Sequence, residues 1–108
     1  RGNAQVAPLY TPYHPAVLRS IRSVIAAAKA AGIPVGMCGE AAADPRLTPL
    51  LLHWGLDEFS VSAASVLSTR AQVSSWHSRE AARVEEEAMK LSTAVGVQGY
   101  LEASSKSV

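Results

Sequence analysis

Between Pro15 and Ala31 the apolar positions Val17, Leu18, Ile21, Val24, Ile25 and Ala28 fall three and four residues apart, with Arg19, Arg22 and Lys29 largely opposite. That spacing predicts an amphipathic helix. Pro15 suits its first position, where a missing N–H costs nothing. His14 just ahead is expected to cap it, and Gly32 followed by Pro34 to stop it. Upstream, the stretch 7–15 holds three prolines in nine residues and is not expected to be regular structure.

Downstream the period changes. Ile33-Pro34-Val35-Gly36-Met37-Cys38 is apolar without alternation, which predicts a strand over 33–38 buried on both faces, as in a parallel sheet. Asp44-Pro45-Arg46 reads as a turn. Thr48 then serves as N-cap and Pro49 as first position of a short helix through Trp54, closed by Gly55. Glu58-Phe59-Ser60-Val61-Ser62 alternates and predicts a second strand. A helix is expected from about Ala64 to Val73, and another from about Ser78 to Thr93. In the latter, Ala81, Val84, Ala88, Leu91 and Val95 form a narrow stripe. Glu85-Glu86-Glu87 reads as its solvated face, with Lys90 four residues from Glu86. After Gly96 and Gly99, residues 100–108 are expected to be a frayed tail.

Helices alternating with strands argue for an α/β architecture with parallel strands. Two strands alone do not make a sheet with both faces covered. A complete (β/α)8 TIM barrel takes about 250 residues, so a chain of 108 residues holds at most the last two or three βα units, an incomplete barrel. Residues 1–108 are read as one piece of something larger.

Composition narrows the partners. A formal net charge of +1, without any basic run, gives no bulk attraction to nucleic acid or acidic membranes. No stretch approaches the roughly 20 apolar residues that span a bilayer. One cysteine cannot close an intrachain disulfide. The chain opens on Arg1-Gly2-Asn3-Ala4, without an initiator Met or an apolar signal core. The expectation is a cytoplasmic fragment of a longer protein.

Gly36-Met37-Cys38-Gly39-Glu40 is the most distinctive motif. Taken with Leu9-Tyr10, His14-Pro15-Ala16-Val17-Leu18, Asp44-Pro45 and Gly55-Leu56-Asp57-Glu58-Phe59-Ser60-Val61-Ser62, it closely resembles the phosphoenolpyruvate–protein phosphotransferase family, Enzyme I of the bacterial sugar phosphotransferase system. The resemblance covers Arg1 to about Val73. It implies a C-terminal phosphoenolpyruvate-binding barrel that dimerises. It also implies Mg2+-dependent transfer of the phosphoryl group to a histidine on a separate N-terminal domain. From there the group passes to the histidine-containing phosphocarrier protein.

The same resemblance implies two site residues. The family's proton donor falls on Cys38, and a substrate-phosphate arginine, which precedes a Gly-Asn, falls on Arg1. An ordinary thiol, with a pKa near 8.5, is mostly protonated at neutral pH and can donate a proton to an enolate carbon. A guanidinium suits a phosphate. Without the resemblance, Cys38 reads as a small apolar core residue and Arg1 as a frayed terminus. Glu40 could touch substrate or merely cap the loop. The family often has Leu-Ala-Gly where this chain has Ala41-Ala42-Ala43, and alanine at 43 leaves less backbone freedom. His53 and His77 lack metal-ligand spacing with Cys38, so no metal site is expected among these residues. Trp54 reads as core and Trp76 as part of a helix junction. The Mg2+ ligands and the phosphorylated histidine are expected outside this segment, which alone should be inactive.

Two other readings compete. Pyruvate phosphate dikinase and phosphoenolpyruvate synthase share the Cys-Gly pair. A non-catalytic dimerisation or interaction module would make use of the stripe along residues 78–95.

Overall fold

Helix α1 spans Pro15–Ala31 as its periodicity requires. His14 Nδ1 accepts the Ala16 N–H at 3.1 Å, and Gly32 ends the helix at φ 71°, a conformation that carries little penalty for glycine alone. Leu18, Ile25 and Ala28 are buried, whereas Val24 on the same stripe stays exposed. The computed structural model describes residues 11–106. Arg1 and the Leu9-Tyr10 pair lie outside them.

Strand β1 is Gly36–Cys38 and strand β2 is Glu58–Ser60. They pair in parallel, as expected, but both are shorter than the sequence suggests. Ile33 is drawn into the end of α1, where its N–H donates to Ala28 O at 3.0 Å, and Pro34 has no N–H to give. Beyond Ser60, Ser62 enters a turn in which the Ser65 N–H donates to Ser62 O at 2.9 Å. The expectation of strands buried on both faces is corrected too: in each strand only the central residue is half-buried and the outer two are exposed. Met37 and Phe59 pack against the helical core, while Gly36, Cys38, Glu58 and Ser60 are exposed.

A one-turn helix α2, Glu40–Ala43, follows β1 and touches both strands. Ala43 is helical and Asp44 follows at φ −76°, so nothing in this loop needs glycine at 43. Helix α3 spans Thr48–Trp54, with Leu47 rather than Thr48 in the capping position. Thr48 instead starts the helix and donates its hydroxyl back to Asp44 O at 3.4 Å. Gly55 closes α3 at φ 91°, and a Cβ there would come within 2.8 Å of Lys29 Cε. A 3-10 turn at Ala63–Ser65 leads into helix α4, Val66–Ser75.

The C-terminal part differs most from expectation. Helix α5 is Ser78–Ala88, and a separate helix α6 covers Ala94–Ser104 where a tail was expected to fray from residue 100. The long stripe therefore breaks after Ala88, leaving Val95 83% exposed. Thr93 makes the break productive by accepting the Gly96 N–H at 3.0 Å as an N-cap. Glycine costs a helix about 1 kcal/mol relative to alanine, but burial of Val97 and Leu101 outweighs Gly96 and Gly99. Lys106 then anchors the end, its ammonium donating to Ser75 O and Glu80 Oε1, each at 2.7 Å.

One core joins these pieces. Leu18 and Ile25 of α1 meet Leu50 and Leu51 of α3, then Val84 of α5 and Leu101 of α6. A polar clasp closes its rim. The Tyr13 hydroxyl donates to Asp44 Oδ2, and the Arg46 guanidinium lies 4.9 Å from the Tyr13 ring centre. Arg46 also reaches Glu102 on α6 at 3.0 Å. Among the described residues no helix is long and apolar enough to cross a membrane.

Candidate functional site

Parallel pairing with register Gly36↔Glu58, Met37↔Phe59 and Cys38↔Ser60 decides what the sheet presents. Side chains alternate along a strand. Met37 and Phe59 therefore turn together toward the core, against which they pack. Gly36, Cys38, Glu58 and Ser60 share the opposite, exposed face. Cys38 and Ser60 end their strands side by side, so the thiol stands at the carboxyl edge of the sheet, in the open. The core-residue reading of Cys38 does not describe this position.

The chain leaves that edge through Gly39 at φ 90°. A Cβ there would meet no atom within 4 Å, so the backbone angle, not crowding, asks for glycine. Glu40 begins α2 and is exposed. Gly36 is small for a different reason: a Cβ on it would approach Glu58 Cβ to 3.2 Å, because Glu58 leans over it on the same face.

Asp57 holds the opposite end of the sheet. Its carboxylate accepts Lys29 Nζ at 2.7 Å and the Val35 N–H at 2.8 Å, while its own N–H donates to Val35 O at 2.9 Å. The bond from Lys29, followed by that from Val35, lowers its pKa below the ordinary carboxylate value. Three bonds at one residue fix how the strands start relative to one another. The register that sets Cys38 beside Ser60 follows from that start.

Two grooves flank the pair of strands. One, of about 560 Å³, lies between β2 and α4 and is lined by Phe59, Val61, Val66, Thr69, Arg70 and Val73 among others. The second, about 220 Å³, lies between α1 and β1 along Ile21, Val24, Val35 and Met37. Cys38 lines neither. Helix α4 is turned against its own sequence: it buries Thr69 and Gln72 while Leu67 is 79% exposed. Thr69 Oγ1 and Gln72 Oε1 have no hydrogen-bond partner among the described residues.

The other candidate residues settle into structural roles. His77 precedes α5, its N–H donating to Glu80 Oε1 at 3.2 Å. Trp76 follows α4 at the expected junction. Trp54 Nε1 donates to Glu85 Oε2 at 2.8 Å. That bond corrects the reading of Glu85 as solvated, since its side chain is only 13% exposed and also pairs with Arg22 at 3.4 Å. The signal was present in the sequence: Glu85 lies four residues after Ala81 and three before Ala88, on the buried stripe itself. Among the described residues no three His, Cys, Asp or Glu side chains converge as metal ligands would.

Comparison with known proteins identifies relatives of the chain. The family described as PEP-utilising enzyme, PEP-binding domain matches residues 1–78. The phosphoenolpyruvate-protein phosphotransferase of Geobacillus stearothermophilus is 52% identical over 101 residues, 94% of this chain and 18% of that protein. Its namesake from Bacillus subtilis (strain 168) is 45% identical over 106 residues, 98% of this chain and 19% of that protein. That of Streptococcus equinus is 58% identical over 71 residues, 66% of this chain and 12% of that protein. The chain thus spans less than a fifth of the length of these curated relatives. The likeness also runs well past Val73, where it was expected to stop, and takes in α5 and α6.

Proposed function

This chain belongs to the PEP-utilising enzymes, in their PEP-binding domain, and from that premise we propose that it is the part of a phosphoenolpyruvate–protein phosphotransferase whose Cys38 protonates the enolate of pyruvate. Loss of the phosphoryl group to a protein histidine breaks the bond from phosphorus to the enol oxygen and leaves an enolate. The Cys38 S–H bond then breaks as a C–H bond forms at the methylene carbon. Pyruvate and a thiolate result, and solvent returns the proton to sulfur. The observation that carries this reading is the position of Cys38: a free thiol, exposed, at the carboxyl end of a parallel strand. Parallel α/β enzymes place their chemistry at that edge.

On this reading β1 and β2 are the last strands of a (β/α)8 barrel, and the bare face carrying Cys38 is turned to its interior. Arg1 would hold the substrate phosphate. Mg2+ would be bound by residues of other segments. The intact protein would be a cytoplasmic homodimer, passing the phosphoryl group onward to the histidine-containing phosphocarrier protein. Relatives named as phosphotransferases favour this over a dikinase or synthase. The interaction-module reading drew in part on a stripe along one helix over 78–95, whereas α5 ends at Ala88 and Val95 belongs to α6.

A chimera tests the proposal: this chain in place of the matching segment of the Geobacillus stearothermophilus relative. Pyruvate release from phosphoenolpyruvate is expected, and Cys38→Ala should slow it by about 10²- to 10⁴-fold, the usual worth of a positioned general acid. Undiminished release from the Cys38→Ala chimera would sink the reading. The 108-residue chain by itself is expected to release none.

A further inference from the structure

We infer that Ser60 is a positioning residue for the proton transfer, its hydroxyl donating a hydrogen bond to the Cys38 sulfur as that sulfur becomes anionic. The inference rests on the role proposed for Cys38 and adds to it the neighbour that makes the role efficient.

The argument begins with register. Cys38 and Ser60 are direct partners across a parallel ladder, so their Cα atoms lie about 4.8 Å apart and their side chains leave the same face. Each side chain has one heavy atom beyond Cβ, and both are exposed. The two are not bonded in the rotamers observed, but staggered rotamers that face each other would bring sulfur and oxygen together without moving the backbone. No other residue of the two strands is placed this way. Met37 and Phe59 turn to the core, and Glu58 lies beside Gly36, two residues back along β2. Ser62, the second serine after Phe59, is committed elsewhere, its hydroxyl donating to Ser65 Oγ at 3.3 Å.

Chemistry then separates the two ends of the step. A neutral thiol is a weak acceptor, so the Ser60 hydroxyl gains little from it while the substrate is intact. When the S–H proton passes to the enolate carbon, sulfur takes up a full negative charge. A hydrogen bond to an ionised group is roughly twice as strong as one between neutral groups. The interaction grows as the reaction proceeds, which is the condition for it to accelerate a step rather than tighten ground-state binding. Ser60 keeps its own proton throughout, and water restores the thiol afterwards.

The test isolates proton transfer from phosphoryl transfer by following deuterium uptake into the methyl group of pyruvate by NMR, in the chimera described above. Ser60→Ala is expected to slow exchange about tenfold, equivalent to losing one hydrogen bond to a charged group. Ser60→Thr, which keeps the hydroxyl, should restore it. In a Cys38→Ala background, Ser60→Ala should add no further loss, because no thiolate remains to stabilise. Wild-type exchange in Ser60→Ala, or the same tenfold loss with and without Cys38, would overturn the role of Ser60 while leaving Cys38 as donor. Wild-type exchange in Cys38→Ala alone would overturn the donor assignment, and Ser60's role with it.

Discussion

The helices α3, α5 and α6 and the two-stranded sheet are built on opposite terms. Among the helices Leu50, Leu51, Ala88, Val97 and Leu101 are almost wholly removed from water. Polar groups at the edge of that core are paired, as Glu85 is with Trp54 and Arg22. In the sheet no residue is fully buried. Half-covered Met37 and Phe59 hold it to the core, and Asp57 holds its start. Stability is concentrated where no chemistry is proposed. The strand ends that carry Cys38 and Ser60, where the proposed chemistry lies, are exposed and are expected to contribute little to the fold.

The most forceful way to break this comparison is to mutate one residue from each side. Leu50→Ala, at a site with 0% exposure, should cost about 2–5 kcal/mol from lost burial and a residual cavity. Cys38→Ala, at an exposed site, should stay within about 0.5 kcal/mol of the parent. Urea unfolding of the two variants beside the parent measures both. A Cys38→Ala variant as damaged as Leu50→Ala would mean that the sheet edge is part of the core after all.

The same contrast explains what was legible in the sequence. Helix α1 announces itself because its stripe, its histidine cap and its glycine stop are all local. Parallel pairing and the carboxyl-edge position of Cys38 followed from element order and one motif. Strand burial did not, since an apolar run such as 33–38 says that cover is wanted without saying whether these residues supply it. Helix α6 was missed because two glycines outweigh a stripe of only Val97 and Leu101 when tertiary packing is not in view. Glu85 was misread because three consecutive glutamates look alike, and only the geometry of α5 against α3 singles out the first.

A smaller effect sharpens the helical side. Tyr13 is buried and bonded to Asp44, and both desolvation and that bond push its pKa well above the ordinary tyrosine value. A group whose pKa rises on folding contributes stability that is complete below its unfolded pKa, about 10, and is lost as pH climbs above it. Tyr13→Phe should remove this alkaline loss. At neutral pH it should cost about 0.5–1.5 kcal/mol, the net worth of one hydrogen bond. Asp44 is not orphaned by the change, because Arg46 Nε and Nη2 still donate to it at 2.9 and 3.1 Å. Urea midpoints on either side of about pH 10, parent against Tyr13→Phe, give the answer. Equal alkaline loss in both proteins would remove Tyr13 as its cause.

The smallest effect belongs to the sheet and concerns Asp57. Its pKa is lowered on folding, first by Lys29 and then by the Val35 N–H. The sign is therefore opposite to that of Tyr13: the contribution is complete above the unfolded aspartate value, about 3.9, and is lost as pH falls through the folded value below it. The carboxylate is solvent-exposed, so the pair with Lys29 is open to screening by salt, and the global midpoint should hardly move. The change should appear locally. Acid should speed exchange of the Val35 amide, corrected for its intrinsic rate, while amides inside α1 such as Ile25 remain protected. Asp57→Asn should exchange faster at Val35 at every pH and show no acid step, because an amide oxygen can still accept but has no charge to lose. If Val35 and Ile25 instead opened together on acidification, the strand start would belong to the same cooperative unit as the helices, and the division between a sealed core and a lightly held reactive edge would not hold.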